Sequence, residues 1–163
     1  MYNLMVKMPQ VKRFPGRVIW RTVASGLGVG YIPAFPGTLG SLLALPLWYW
    51  GGGKGAVHFG ALAAVLVLAL PATMVEIRVT GQKDPPSVVI DEVAGMLLAA
   101  TGLPWGWKSV VPLFLLFRLF DIVKLGPAAW LDSRDGAIFV VADDLVAALY
   151  ANLAYRGLMW VIG

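Results

Sequence analysis

Long apolar runs separated by short polar punctuation dominate this chain, and they predict helices rather than strands. The runs are Leu39–Trp50, Gly55–Val75, Val88–Leu103, Ser109–Val123 and Ala137–Tyr155. Gly55–Val75 has no formal charge and is long enough to cross a bilayer core of ~30 Å at ~1.5 Å per residue. Leu39–Trp50 is short for a span and ends in Trp48-Tyr49-Trp50, the aromatic signature of a membrane interface. Pro104-Trp105-Gly106-Trp107-Lys108 reads as a second interfacial turn. Gly51-Gly52-Gly53-Lys54, Glu76–Ser87 and Leu125–Gly136 read as polar connections. The pattern predicts an all-α, polytopic integral membrane helical bundle with about four to five transmembrane helices, forming a single membrane-embedded domain over residues 1–163.

Composition strengthens this reading. Hydrophobic residues make up 59% of the chain and mean hydropathy is +0.76, well above the range of soluble domains. Lys7, Lys12, Arg13, Arg17 and Arg21 crowd the N-terminus, so residues 1–25 are expected in the cytoplasm or at the membrane surface, facing lipid rather than nucleic acid. No apolar signal-peptide core overlaps that segment. The absence of cysteine excludes disulfides, thiolate metal sites and cysteine nucleophiles. His58, the single histidine, reads as an interfacial side chain rather than a ligand. Neither a nucleic-acid nor a protein partner is expected.

Threading five helices alternately from a cytoplasmic N-terminus places nine basic residues inside (Lys7, Lys12, Arg13, Arg17, Arg21, Arg78, Lys83, Lys124 and Arg134). Only Lys54, Lys108 and Arg156 fall outside, as the positive-inside rule requires. The same threading gathers every other polar feature. Thr38 and Ser41 start the first helix, Asp91-Glu92 the third and Asp143-Asp144 the fifth, while Arg118-Asp121-Lys124 end the fourth. These groups all lie near the cytoplasmic ends, in a shallow polar site roughly 8–9 Å deep.

Adjacent acids inside an apolar run cost several kcal/mol each unless compensated. Asp91, Glu92, Asp121, Asp143 and Asp144, with no Cys or second His, suit a hard divalent cation such as Mg2+. Lys83, Arg118 and Lys124 would attract a phosphate ester beside it. Thr38 and Ser41 either receive an anion at a helix start or simply cap it. Asp84 reads as an N-cap with Pro85 or Pro86 in the first turn, and Asp132, in the last polar connection, is expected to be silent on substitution. Metal-activated water attacking phosphorus is the simplest chemistry for these parts. Two alternatives use the same residues: a structural network of acids and bases, and a small ion or proton carrier. Collection of the acids at one end, rather than along the membrane depth, favours the enzyme.

The combination then gains a family likeness. Gly28-Val29-Gly30 through Pro36-Gly37-Thr38-Leu39-Gly40-Ser41, Lys83-Asp84-Pro85 with Asp91-Glu92-x-x-Gly95, Phe117-Arg118-x-x-Asp121-x-x-Lys124, and Asp143-Asp144 resemble the phosphatidylglycerophosphatase A family. The resemblance runs in the family's order from Gly26 to Ala148. It departs after Lys124, where Leu125-Gly126 intervene before Pro127, and around the paired aspartates. It implies an Mg2+-dependent, multi-pass enzyme of the bacterial cytoplasmic (inner) membrane that converts phosphatidylglycerophosphate to phosphatidylglycerol. Carried over, Asp84, Asp91, Glu92, Asp121, Asp143 and Asp144 bind metal and activate water, while Lys83, Arg118 and Lys124 hold phosphate.

Overall fold

The computed structural model describes residues 16–162, so Lys7, Lys12 and Arg13 of the basic N-terminus lie outside the described residues. Among the described residues all regular structure is helical: α1 (Arg17–Ala24), α2 (Pro36–Gly51), α3 (Gly55–Thr80), α4 (Ile90–Ala99), α5 (Trp107–Val123), α6 (Pro127–Asp132) and α7 (Ala137–Ile162), with one 3₁₀ turn at Val29–Tyr31. The five apolar runs become α2, α3, α4, α5 and α7. Two of them, α3 and α7, are long and apolar enough to cross a membrane. At 26 residues each, they extend roughly 39 Å. Pro46, Pro71 and Pro112 lie inside α2, α3 and α5, as apolar bundles tolerate when neighbouring helices cover the freed carbonyls.

The central element is the shortest of the five. At 10 residues α4 is about 15 Å long, half a bilayer core, and it packs against α2, α3 and α7. Met96, Leu97, Ala94 and Ala99 have no exposed surface, so α4 is the core's inner strut rather than a lipid-facing span. Small residues let its neighbours close in. A Cβ on Gly95 would come within 2.7 Å of the Phe117 ring and 3.2 Å of the Asp144 carbonyl oxygen. Glycine at this position therefore allows α4, α5 and α7 to bring their acids together.

Opposite ends of the bundle have different chemistry. Trp48 is fully buried, donates its indole N–H to the Leu103 carbonyl at 3.2 Å, and meets Trp105 edge to face. Tyr49 and Trp50 are exposed, so only part of that aromatic triplet is available to an interface. His58 is likewise not interfacial. It is fully buried and its Nε2 lies 3.1 Å from the Thr101 hydroxyl. The apolar run around it hid a polar partner supplied from more than forty residues away.

Two helix boundaries also differ from expectation. The polar connection predicted from Glu76 instead continues α3 to Thr80, and Gly81 ends it with φ 70°. Glu76 is fully buried and paired with Arg21. Asp84 caps nothing, since α4 starts after Val89.

Candidate active site

Four helix ends and one loop enclose a cavity of about 180 Å³ at the end of the bundle remote from Trp48. The first turn of α4 supplies Asp91 and Glu92, the last turns of α5 supply Arg118 and Asp121, and the second turn of α7 supplies Asp143 and Asp144. Pro36 and Gly37 come from the start of α2, and Asp84, Pro85, Pro86 and Val88 from the α3–α4 loop. Lys124, just beyond α5, completes the lining with Val140.

Within this cavity the acids divide into two sets. Asp121 and Asp143 have cation partners: Asp121 Oδ2 lies 2.6 Å from Arg118 Nη1, and Asp143 accepts a hydrogen bond from Lys124 Nζ at 2.5 Å. Asp91, Glu92 and Asp144 do not. They offer one carboxylate oxygen each, all within 4.8 Å of one another. Glu92 Oε2 and Asp144 Oδ2 are buried without any hydrogen-bond partner. Three largely buried carboxylates so close repel strongly unless a positive charge joins them. All three donors are hard carboxylate oxygens and they converge on one small region, so the trio could hold a divalent cation.

Arg118 and Lys124 flank the trio. Arg118 Nη1 also reaches the Ser41 hydroxyl at 3.5 Å, and its buried Nε has no partner. Lys124 adopts a left-handed backbone with φ 47°, uncommon for a side-chain-bearing residue. Its ammonium bridges Asp143 and Asp132, the latter at 2.6 Å. Burial works to lower the Lys124 pKa, but the hydrogen bonds to Asp132 and Asp143 outweigh it and hold the group above its ordinary value. At the rim, desolvation on the cavity side pushes the Asp84 carboxyl up; Lys124 opposes the shift, and Asp132 and Asp121 add to it.

Not every predicted residue reaches the cavity. Lys83 is turned towards the end of α6, donating to the Asp132 carbonyl at 2.6 Å and lying 3.8 Å from Asp135. Thr38 stands in the first turn of α2 and does not cap it, because the N-cap is Phe35 with no side-chain hydrogen bond. Ser41 is fully buried behind the wall, donating to the Gly37 carbonyl at 2.9 Å. Asp132, expected to be silent, anchors both Lys83 and Lys124 through its carbonyl and carboxylate. Gly37 makes room for two site side chains: a Cβ there would meet Glu92 Oε1 at 2.3 Å and Arg118 Nη2 at 3.0 Å.

These features define a class: an all-helical, strongly apolar protein with two membrane-crossing candidates and an acid-rich, cation-flanked cavity at one end. Residues 22–159 match the family described as phosphatidylglycerophosphatase A. The chain belongs to that family. It is 32% identical over 154 residues to phosphatidylglycerophosphatase A of Escherichia coli, covering 88% of this chain and 87% of the relative. Identity to the Haemophilus influenzae protein of the same name is 34% over 136 residues, covering 79% and 82%. A Bacteroides thetaiotaomicron protein named provisionally as a phosphatidylinositol-3-phosphatase is 31% identical over 156 residues, covering 86% and 94%. No solved structure matches the chain significantly.

Proposed function

We infer that this protein is a lipid phosphatase that hydrolyses the phosphate monoester of phosphatidylglycerophosphate, giving phosphatidylglycerol and inorganic phosphate. The observation that carries the chemistry is the trio Asp91, Glu92 and Asp144, without a cation partner, beside Arg118 and Lys124. Asp91, Glu92 and Asp144, with Asp84, Asp121 and Asp143 at their margin, would hold a divalent cation, which would supply Lewis acidity for phosphate-ester hydrolysis. Mg2+ is the expected ion, because every donor is a hard carboxylate oxygen.

The chain's own groups do the rest. The Arg118 guanidinium, fixed by Asp121, presents a planar fork suited to two phosphate oxygens. Lys124 adds a second positive charge at the mouth, while Asp132 and Asp135 hold Lys83 beyond the cavity lining. Thr38 and Ser41 border the start of α2, where the first-turn amides favour an anion. Water adds to phosphorus, the ester P–O bond breaks, and the proton released by water ends on the departing glycerol oxygen.

The deciding measurement is phosphate release by purified protein, with phosphatidylglycerophosphate and phosphatidylinositol 3-phosphate compared as substrates. Release from the first, supported by Mg2+ or Mn2+ and abolished by EDTA, is expected. Full turnover in excess chelator defeats the metal reading, and preference for the inositol lipid moves the substrate. An ion or proton carrier would release no phosphate from either.

We place the cavity at the cytoplasmic face of a bacterial inner membrane, with α2, α3, α4, α5 and α7 running alternately between its two sides and α4 enclosed among the others. The nine-to-three distribution of basic residues supports that orientation. Because the chain has no native cysteine, Gln82→Cys and Lys54→Cys give clean labels. A membrane-impermeant thiol reagent added outside should modify the Lys54→Cys protein alone. Outside labelling of Gln82→Cys reverses the assignment.

A further inference from the structure

One buried acid among the described residues lies outside the cavity. Glu76 of α3 has no exposed surface, and three side chains from three separate segments surround its carboxylate. Arg21 of α1 donates through Nε at 2.8 Å and Nη2 at 3.3 Å. The Ser87 hydroxyl donates at 2.8 Å, and the Tyr31 hydroxyl lies at 3.5 Å. The Arg21 guanidinium also covers the Tyr31 ring, 5.6 Å from its centroid.

Ser87 belongs to the α3–α4 loop that forms one cavity wall through Asp84, Pro85, Pro86 and Val88. That loop is held from behind at three points. The Val89 amide donates to the Ala24 carbonyl at the end of α1, at 2.9 Å. Gly30 abuts the loop so tightly that a Cβ there would lie 2.2 Å from the Ser87 carbonyl oxygen. The third point, Ser87 on Glu76, is the one that is charge-assisted. A carboxylate needed only to neutralise Arg21 could remain at the surface with it, since Arg21 is about one-third exposed; instead Glu76 is drawn fully inside, to the place where it reaches Ser87.

We propose that Glu76, clamped by Arg21, is a positioning residue for the cavity wall carrying Asp84, acting through the Ser87 hydroxyl. This inference rests on the phosphatase reading of the cavity for its effect on metal and substrate, but the clamp itself is independent of it. Loss of one hydrogen bond to a buried charge corresponds to about tenfold or more in an equilibrium. Loosening the wall therefore weakens cation binding and raises KM before it alters the fold.

Ser87→Ala is the informative variant, because it cuts the link and leaves the Arg21–Glu76 pair in place. Two quantities are read on the full-length protein in detergent: hydrogen exchange at the Val88 and Val89 amides, and Mn2+ affinity by electron paramagnetic resonance. Exchange about tenfold faster, Mn2+ binding about tenfold weaker and an unchanged melting temperature are expected, with Ser87→Thr restoring both. Glu76→Gln should shift both quantities in the same direction. Faster exchange with wild-type Mn2+ affinity and KM overturns the positioning role and leaves a purely structural contact. Unchanged exchange overturns the clamp. If the unaltered protein binds no Mn2+ and releases no phosphate, the phosphatase reading fails, while the exchange result still decides the clamp.

Discussion

Asp144→Asn is expected to reduce phosphate release by at least ~10²-fold in a protein that folds normally, the scale of losing one electrostatic catalytic group. Asp91→Asn and Glu92→Gln should behave alike. All three remove charge at nearly constant volume from carboxylates that have no cation partner in the fold. Relieving their mutual repulsion leaves stability equal or higher. Asp121→Asn should differ. It strips the buried Arg118 guanidinium of its 2.6 Å partner, and stranding a buried charge costs ~3–5 kcal/mol. Asp143→Asn falls between, because Lys124 keeps Asp132. Asp135→Asn is the control, being highly exposed and only 3.8 Å from Lys83 at its nearest. Thermal melting and phosphate release on the same preparations separate the two groups. Normal turnover in both the Asp91 and Asp144 variants defeats the assignment, and losses proportional to unfolding in all five make the acids structural.

The split between those two sets of acids was not legible in the sequence, although their meeting was. Positive-inside threading placed Asp91, Glu92, Arg118, Asp121, Asp143 and Asp144 at one level, and all six line one cavity. The ion pair between Arg118 and Asp121 uses residues one helical turn apart. Lys124 could not be paired in the same way, because its bridge to Asp132 and Asp143 depends on how α6 turns back after Gly126. Nor could spacing show that Lys83 points to Asp132 rather than inward. Glu76 was the largest loss. A glutamate at the end of an apolar run reads as the start of a loop, and its partner Arg21 lies 55 residues earlier. One local signal pointed the other way: Val75 and Ile77 flank it, and no helix breaker occurs before Gly81. The apolar runs located the helices well, but hydropathy alone could not distinguish α4, apolar because it is enclosed by protein, from α3, apolar along faces exposed beyond the bundle.

Replacement of Gly37 by alanine is expected to lower turnover by ~10-fold to 10²-fold while leaving the fold intact. Gly37 lies in the first turn of α2 with an ordinary helical backbone, so alanine meets no conformational penalty and raises helix propensity by up to ~1 kcal/mol. The new methyl nevertheless lands 2.3 Å from Glu92 Oε1 and within 3.2 Å of both Arg118 terminal nitrogens. Those atoms are the ends of flexible side chains, so they move aside rather than forcing the helices apart. A displacement near 1 Å suffices to cost such factors when it falls on groups that hold the reacting centre. Gly95→Ala provides the opposite case. Its methyl meets the Phe117 ring at 2.7 Å and the Asp144 carbonyl oxygen at 3.2 Å, neither of which can yield without shifting a packed element. That change should cost ~1–3 kcal/mol of stability, as overpacked cores do. Melting temperature and phosphate release measured side by side should therefore rank the variants in opposite ways: Gly37→Ala stable but slow, Gly95→Ala visibly destabilised. Full turnover in Gly37→Ala would show that Glu92 and Arg118 are not needed where the fold places them, and the cavity would lose its claim to be the active site.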